Sequence, residues 1–135
     1  MIYTPWGIIL VMAIETVTLD NFNSITASDG IVFLDCWADW CPPCRAFKPV
    51  FEAAAEEHTD ISFGSLDTQN ERVLASQLGI SSIPTIMAFR DGILVFSQPG
   101  ALQAKGFSQL IDAVRNLDMD EVRKSLEEQE NSPQP

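Results

Sequence analysis

Two cysteines separated by two prolines, Cys41 and Cys44, are the residues whose types and spacing could carry chemistry in this chain. The apolar run Ile31–Leu34 precedes them, and a helical apolar pattern that begins at Pro42 follows them. Backbone N–H groups in the first turn of a helix lack intrahelical partners, so a thiolate is favoured there over a thiol. One turn also brings the second sulfur beside the first. The pattern predicts dithiol–disulfide exchange, with Cys41 as the nucleophile and Cys44 as the resolving thiol.

A zinc half-site is the alternative for a Cys-x-x-Cys pair. A structural zinc ion needs four ligands, and beyond the pair only Cys36 and His58 remain, without a second paired spacing. We therefore favour redox chemistry and expect no metal. We interpret His58, at the end of the helical pattern, as a charge partner of that helix end.

Asp35 interrupts the nearly continuous apolar run Ile31–Trp37, which is typical of a central strand covered on both faces. A carboxyl buried without a partner has a raised pKa, and it could exchange a proton with Cys44 when that thiol attacks. The alternative is a structural carboxylate that only accepts hydrogen bonds. Because perturbed acids cluster at functional sites, we favour the acid/base role.

Length and charge limit the classes of protein to consider. The 135 residues are 46% hydrophobic, which suits one domain with a single core. Nineteen acidic against eight basic side chains give a formal charge of −11, which disfavours nucleic acid and anionic membrane surfaces as partners. Three cysteines are an odd number, so we do not expect a disulfide-stapled secreted scaffold.

The elements that would position these residues follow the order βαβαβαββα. Strands are predicted at residues 16–18, 31–37, 61–66, 85–89 and 93–97. Helices are predicted from a cap at Asp20 or Asn21 to Ala27, and at 42–58 with Pro49 inside, 71–78 and 107–117. Gly79 suits a left-handed helix cap, and Asp91-Gly92 suits a two-residue hairpin. Parallel crossovers first and a hairpin last indicate an α/β fold, a mixed sheet with helices on both faces.

The segment Phe33–Arg45, followed by Ile83-Pro84-Thr85 and Gly100-Ala101, resembles the thioredoxin family over roughly residues 15–117. The resemblance implies the thioredoxin fold and a protein disulfide reductase in which Asp35 is the buried acid/base. It implies disulfide-containing protein substrates and a thioredoxin reductase as electron donor. We accordingly expect a cytoplasmic monomer that serves redox homeostasis without a bound cofactor.

The resemblance also implies a docking surface for substrates. Pro84 matches a cis-proline beside the cysteine pair, where the preceding residue pairs with an extended substrate chain; from sequence alone a trans proline is the default. The matching flat apolar rim consists of Trp40, Pro42, Ile83, Gly100 and Ala101. Trp37 matches an aromatic packed beside the rim, although a core position suits it equally. Cys36 is most simply a small core residue, opposite Asp35 by strand alternation, rather than a regulatory thiol.

Two departures separate this chain from the common family pattern. Pro42 stands where the usual loop, Cys-Gly-Pro-Cys, has glycine, and it removes an N–H close to Cys41. Ser65 stands where many thioredoxins place a lysine near the buried aspartate. The class of reaction survives both changes, but the redox potential and the route of the proton do not transfer.

The two ends of the chain are expected to lie outside the domain. Residues 1–14 are interpreted as an extension, because the resemblance begins only near Glu15. Their apolar run is too short for a membrane span and lacks a basic flank, so we expect neither an anchor nor a signal peptide. A capping pattern at Asp118 to Glu121 predicts a short helix within 118–135, before a disordered tail from Asn131. If the extension directs export, the protein would be an exported or membrane-associated oxidoreductase for protein or cytochrome maturation. A binding module without turnover is the non-enzymatic alternative, against which the intact cysteine pair argues.

Overall fold

A five-stranded mixed sheet forms the centre of the computed structural model, which describes residues 13–131 and the backbone of residues 2–3 and 9–10. The strands are β1 (Ile2–Tyr3), β2 (Ile9–Leu10), β3 (Ile14–Thr16), β4 (Ile31–Trp37), β5 (Ser62–Asp67), β6 (Thr85–Arg90) and β7 (Ile93–Pro99). The helices are α1 (Phe22–Thr26), α2 (Pro42–Glu57), α3 (Arg72–Gln77), α4 (Ala104–Arg115) and α5 (Met119–Asn131). From β3 to α4 the predicted order βαβαβαββα is confirmed.

The sheet has the order β3-β5-β4-β6-β7, with β4 at its centre. β4 runs parallel to β5, with Asp35 opposite Ser65, and antiparallel to β6, with Asp35 opposite Ile86. β3 is parallel to β5, and β6 and β7 form the antiparallel hairpin that ends the sheet. This is the mixed sheet that parallel crossovers followed by a hairpin predict.

Strand alternation divides the core into two clusters, one on each face of the sheet. The first contains Phe33 and Phe63 with side chains of α2 and α4, and Phe107 contacts Phe33 edge to face at a centroid distance of 5.3 Å. The second contains Leu34 and Cys36 with side chains of α1 and α3. Helices therefore cover both faces, so β4 is buried along most of its length.

Three local features that were predicted from the sequence are present in the structure. Pro49 lies inside α2, and Gly79 has a φ of +69° after α3, both as predicted. Asp91 and Gly92 have φ values of +51° and +82°, the left-handed conformations that a two-residue hairpin of type I′ requires.

The first strand and helix differ from their prediction. The strand is Ile14–Thr16 rather than 16–18, because the chain turns after Val17, which is fully buried and donates its N–H to Ser65 O over 2.9 Å. Asn21 occupies the N-cap position of α1 but makes no capping bond. Its Oδ1 accepts from Thr18 N at 2.7 Å instead, so the side chain closes the preceding turn.

At the ends of the chain, Asp118 Oδ1 accepts from the N–H groups of Asp120 and Glu121, at 3.1 and 3.2 Å, and so caps α5 as its pattern predicts. The prediction of a disordered tail from Asn131 is wrong at its first residue, because Asn131 is the last residue of α5. Residues 132–135 lie outside the described part of the chain.

Most of the proposed N-terminal extension also lies outside the described part, namely residues 1, 4–8 and 11–12. The two short strands that are described there, β1 and β2, pair antiparallel. Among the described helices, none is long and apolar enough to cross a bilayer.

Candidate active site

Cys41 and Cys44 form a disulfide at the start of α2, with their Cα atoms 5.2 Å apart. Cys41 is the N-cap in extended conformation, and its Sγ accepts a hydrogen bond from the backbone N–H of Cys44 over 3.2 Å. The two residues are 2% and 4% exposed, so the sulfurs lie just beneath the surface. A helix N-terminus favours negative charge, which is what a thiolate at Cys41 needs.

The sequence builds this helix start locally. Pro42 and Pro43 occupy the first two helical positions, where a missing N–H costs no intrahelical bond. Arg45 then donates from Nε and Nη2 to the carbonyl oxygen of Asp39, at 3.2 and 2.7 Å. The first turn of α2 is thereby tied to the chain that enters it, and Trp40 lies in the loop between them.

Asp35 lies in β4 behind the cysteine pair and is 4% exposed. Burial raises the pKa of this carboxyl from 3.8 to about 7. Its Oδ1 is fully buried and has no hydrogen-bond partner in the part of the chain that the structure describes. Asp35 and Cys44 line one cavity of about 450 Å³.

All five residues of the expected docking rim have exposed surface. Trp40 is 62% exposed, Pro42, Gly100 and Ala101 are exposed, and Ile83 is half-buried. The peptide bond between Ile83 and Pro84 is cis, as the resemblance implied. Gly100 donates its N–H to the carbonyl oxygen of Pro84 over 2.8 Å, so the loop after β7 is joined to the cis-proline loop.

Cys36 lies on the opposite face of β4, in the second core cluster, with no exposed surface. Burial, with a smaller effect of the neighbouring Asp35, raises the pKa of its thiol to about 12. A thiol that does not ionise near neutral pH is a poor nucleophile. Cys36 is thus a core residue, as strand alternation predicted.

His58 is the C-cap of α2, at the helix end where it was expected, and its role as a charge partner stays a prediction. The guanidinium of Arg115 also lies at this end: its Nη2 is 3.0 Å from His58 Nδ1, and it donates to both oxygens of Asp60. Within residues 13–131 no group of three or more His, Cys, Asp or Glu side chains could hold a metal ion.

The hydrogen bond between Trp37 and Ser65 was not predicted from the sequence. Trp37 Nε1 donates to Ser65 Oγ over 2.6 Å, on the same face of the sheet as Asp35. Strand alternation placed Trp37 on that face, but only the register between β4 and β5 places Ser65 there.

Comparison with known proteins gives consistent matches. The family model described as Thioredoxin matches residues 13–113. A putative thioredoxin 2 of Streptomyces coelicolor is 47% identical over 113 residues, which are 84% of this chain and 84% of that protein. A thioredoxin of Bacillus subtilis is 32% identical over 102 residues, 75% of this chain and 97% of that protein. Among solved structures, a mutant thioredoxin from Halobacterium salinarum superposes with a TM-score of 0.70 at 30% identity, covering 77% of this chain and 92% of that one.

Proposed function

This chain belongs to the thioredoxin family and is a thiol–disulfide oxidoreductase, and from that membership we propose which atoms perform each step of its disulfide reduction. The observation that carries the proposal is the Cys41–Cys44 disulfide at the start of α2, with the buried carboxyl of Asp35 on the same cavity. This arrangement supplies a nucleophile, a resolving thiol and a proton acceptor in one place.

In the first step the Cys41 thiolate attacks one sulfur of a substrate disulfide. A bond forms between Cys41 Sγ and that sulfur, the substrate's S–S bond breaks, and the other substrate sulfur leaves as a thiolate. The helix N-terminus and the N–H of Cys44 stabilise the attacking thiolate.

In the second step Cys44 attacks Cys41 Sγ and releases the remaining substrate sulfur. The thiol of Cys44 must lose its proton, and the carboxylate of Asp35 accepts it. Because burial raises the pKa of Asp35 to about 7, this carboxyl can both accept and release a proton near neutral pH. The step ends in the Cys41–Cys44 disulfide. The substrate has gained two electrons and leaves as two thiolates, which take up their protons from solvent.

Disulfide-containing proteins are the substrates of this family, and the surface around the pair suits an extended polypeptide. The rim residues Trp40, Pro42, Ile83, Gly100 and Ala101 give it an apolar, largely exposed surface. Beside Pro84, the backbone of Ile83 can pair with the substrate chain as an added strand does.

Reduction of the disulfide between cycles requires a donor of two electrons. We assign this role to a thioredoxin reductase, and we place the reaction in the cytoplasm with the protein as a monomer of which residues 15–117 form the catalytic domain. Membership of the family supports these assignments.

The test is reduction of insulin disulfides, driven by dithiothreitol or by NADPH with thioredoxin reductase. Cys41→Ser should abolish turnover, and Cys44→Ser should accumulate mixed disulfides because the resolving step is lost. Cys36→Ser is the matched control and should retain the activity of the parent chain. Full activity in Cys41→Ser would overturn the proposal. If the parent chain reduces insulin with dithiothreitol but not with NADPH and thioredoxin reductase, only the assignment of the donor is overturned.

A further inference from the structure

Ser65 lies directly opposite Asp35 on the neighbouring parallel strand. Neighbouring strands are about 4.8 Å apart, and residues in register project from the same face. Trp37, two residues after Asp35, projects from that face as well. Three polar groups therefore meet behind the start of α2.

The hydrogen bond between Trp37 and Ser65 determines what the hydroxyl can do. An indole N–H can only donate, so Ser65 Oγ accepts the 2.6 Å bond from Trp37 Nε1, and the hydroxyl hydrogen is left to donate elsewhere. Within residues 13–131 no protein atom accepts that hydrogen. Asp35 Oδ1 is a buried acceptor that also lacks a protein partner. One unused donor and one unused acceptor thus face the same space.

That space is the cavity of about 450 Å³, which Asp35, Trp37, Cys44 and Ser65 line together. Its lining is mixed, with these polar groups among apolar side chains such as Phe51, and it is large enough for several waters, since one water occupies roughly 30 Å³ in the liquid. The charged or titratable side chains that face it from α2 and the preceding loop are Asp39, Cys44, Arg45, Lys48 and Glu52. Most of these are exposed, so the cavity reaches solvent.

We propose that Ser65 is a positioning residue for proton transfer: its hydroxyl, held by Trp37, orders a cavity water that hydrogen-bonds Asp35 Oδ1 and passes the proton between this carboxyl and solvent. No electron moves in this step. The proton that Asp35 takes from Cys44 leaves through the water, and the carboxylate is restored for the next cycle. The inference rests on the proposed acid/base role of Asp35.

The test compares Ser65→Ala and Ser65→Val, which lack a hydroxyl, with Ser65→Thr, which keeps one and matches valine in shape. The rate constant for insulin reduction is measured from pH 5.5 to 9. Loss of one hydrogen bond should slow the reaction roughly three- to tenfold in the alanine and valine variants. The part of the pH–rate profile that reports ionisation of Asp35, called here its pH limb, should move to higher pH by about 0.5 to 1 unit, because a carboxylate without its hydrogen-bond donor is harder to form. Ser65→Thr should restore both values, and Trp37→Phe should resemble Ser65→Ala.

The Asp35→Asn variant distinguishes the acid/base role of Asp35 from the positioning role of Ser65. If Asp35→Asn keeps the pH limb and the rate, Asp35 is not the acid/base, and both proposals fail. If it removes the limb, the role of Asp35 stands, and Ser65→Ala should then have no further effect in the Asp35→Asn background. An equal loss of rate on Ser65→Ala in both backgrounds, or an unchanged pH limb in Ser65→Ala, would overturn the role of Ser65 alone. Near-ultraviolet circular dichroism of each variant verifies that the fold is retained.

Discussion

The backbone N–H of Cys44 donates to Cys41 Sγ over 3.2 Å, across a loop whose two intervening residues have no N–H of their own. Pro42 and Pro43 occupy the first two positions of α2, so Cys44 supplies the first backbone donor after the nucleophile. The thiolate of Cys41 therefore depends on this N–H and on the helix dipole, and Pro42 limits the number of donors close to it.

Pro42→Gly should make the protein a slightly stronger oxidant. Glycine restores an N–H near Cys41, which stabilises the thiolate, and it loosens the reduced loop, which disfavours closure of the disulfide. The second effect is about 0.4–1 kcal/mol by analogy with proline in flexible chains, or roughly 10–20 mV for a two-electron couple. The redox equilibrium of both proteins with glutathione measures the change. A more reducing Pro42→Gly protein would contradict both arguments.

Asp35 should make the stability of the oxidised protein fall as pH rises. Its pKa is about 7 in the folded chain, against 3.8 for an aspartate free in solution as in the unfolded chain, so the folded state binds more protons between these values. The contribution of Asp35 is thus most favourable below about pH 4 and declines, by on the order of 4 kcal/mol in all, as pH rises through 7.

Asp35→Asn should remove this decline, so the variant should be the more stable protein at pH 8 but not at pH 4. Urea unfolding at a series of pH values measures it. Asp60→Asn is the control of opposite sign, because the exposed Asp60 has its pKa lowered to about 2, first by its hydrogen bond from Arg115. The contribution of Asp60 is lost only as pH falls from about 4 towards 2. Equal stabilities of Asp35→Asn and the parent chain at pH 8 would show that Asp35 is solvated in the folded protein.

Arg90 should be important for stability but not for catalysis. Its Nη1 donates to the carbonyl oxygens of Val114, Arg115 and Leu117 at 2.8, 3.1 and 2.8 Å, at the end of α4. Arg90→Met should lower the free energy of unfolding by roughly 1–2 kcal/mol, because these carbonyls lose a charged donor. Urea unfolding measures this, while insulin reduction at 25 °C should be unchanged.

Arg72→Met is the matched control for Arg90→Met. Arg72, the first residue of α3, is exposed, and its Nε donates to Gln69 O, three residues earlier in the chain, over 3.3 Å. A loss of stability as large in Arg72→Met as in Arg90→Met would contradict the role of the three carbonyls.

Removal of the residues before Met12 should leave folding and disulfide reduction intact. The strand that pairs with β5 begins at Ile14, where Ile14 lies opposite Phe63, so the sheet is retained in the shorter chain. Thermal unfolding and insulin reduction of both chains test this. A melting temperature several degrees lower in the shorter chain would show that the removed segment packs on the domain.

Features set by near neighbours in the chain were predictable from the sequence. Cys41 at a helix start followed by Pro42, and the hairpin at Asp91-Gly92, follow from local backbone rules. The first strand was placed two residues late because Thr16-Val17-Thr18 has high β-propensity, while pairing with β5 decides which residues are in the sheet.

Features set by distant pairing were not predictable in the same way. The bond between Trp37 and Ser65 joins residues 28 positions apart, and it depends on the register of β4 with β5. The Arg90 contacts likewise span 24 to 27 positions. The cis bond before Pro84 was expected only from the family resemblance, since local sequence favours the trans form.

The division of the core by β4 also governs which sulfurs can meet during oxidative folding. Three cysteines allow three pairings, yet Cys36 faces the cluster of α1 and α3, while Cys44 belongs to the helix on the other side. A slip of β4 by one residue would reverse its faces and bring Cys36 towards the exchanging pair, where disulfide scrambling could begin. Such a slip would also move Phe33 away from its stacking partner Phe63 and out of its core cluster. The apolar pattern of β4, which sets its register, thus also holds Cys36 on the face of the sheet away from Cys44.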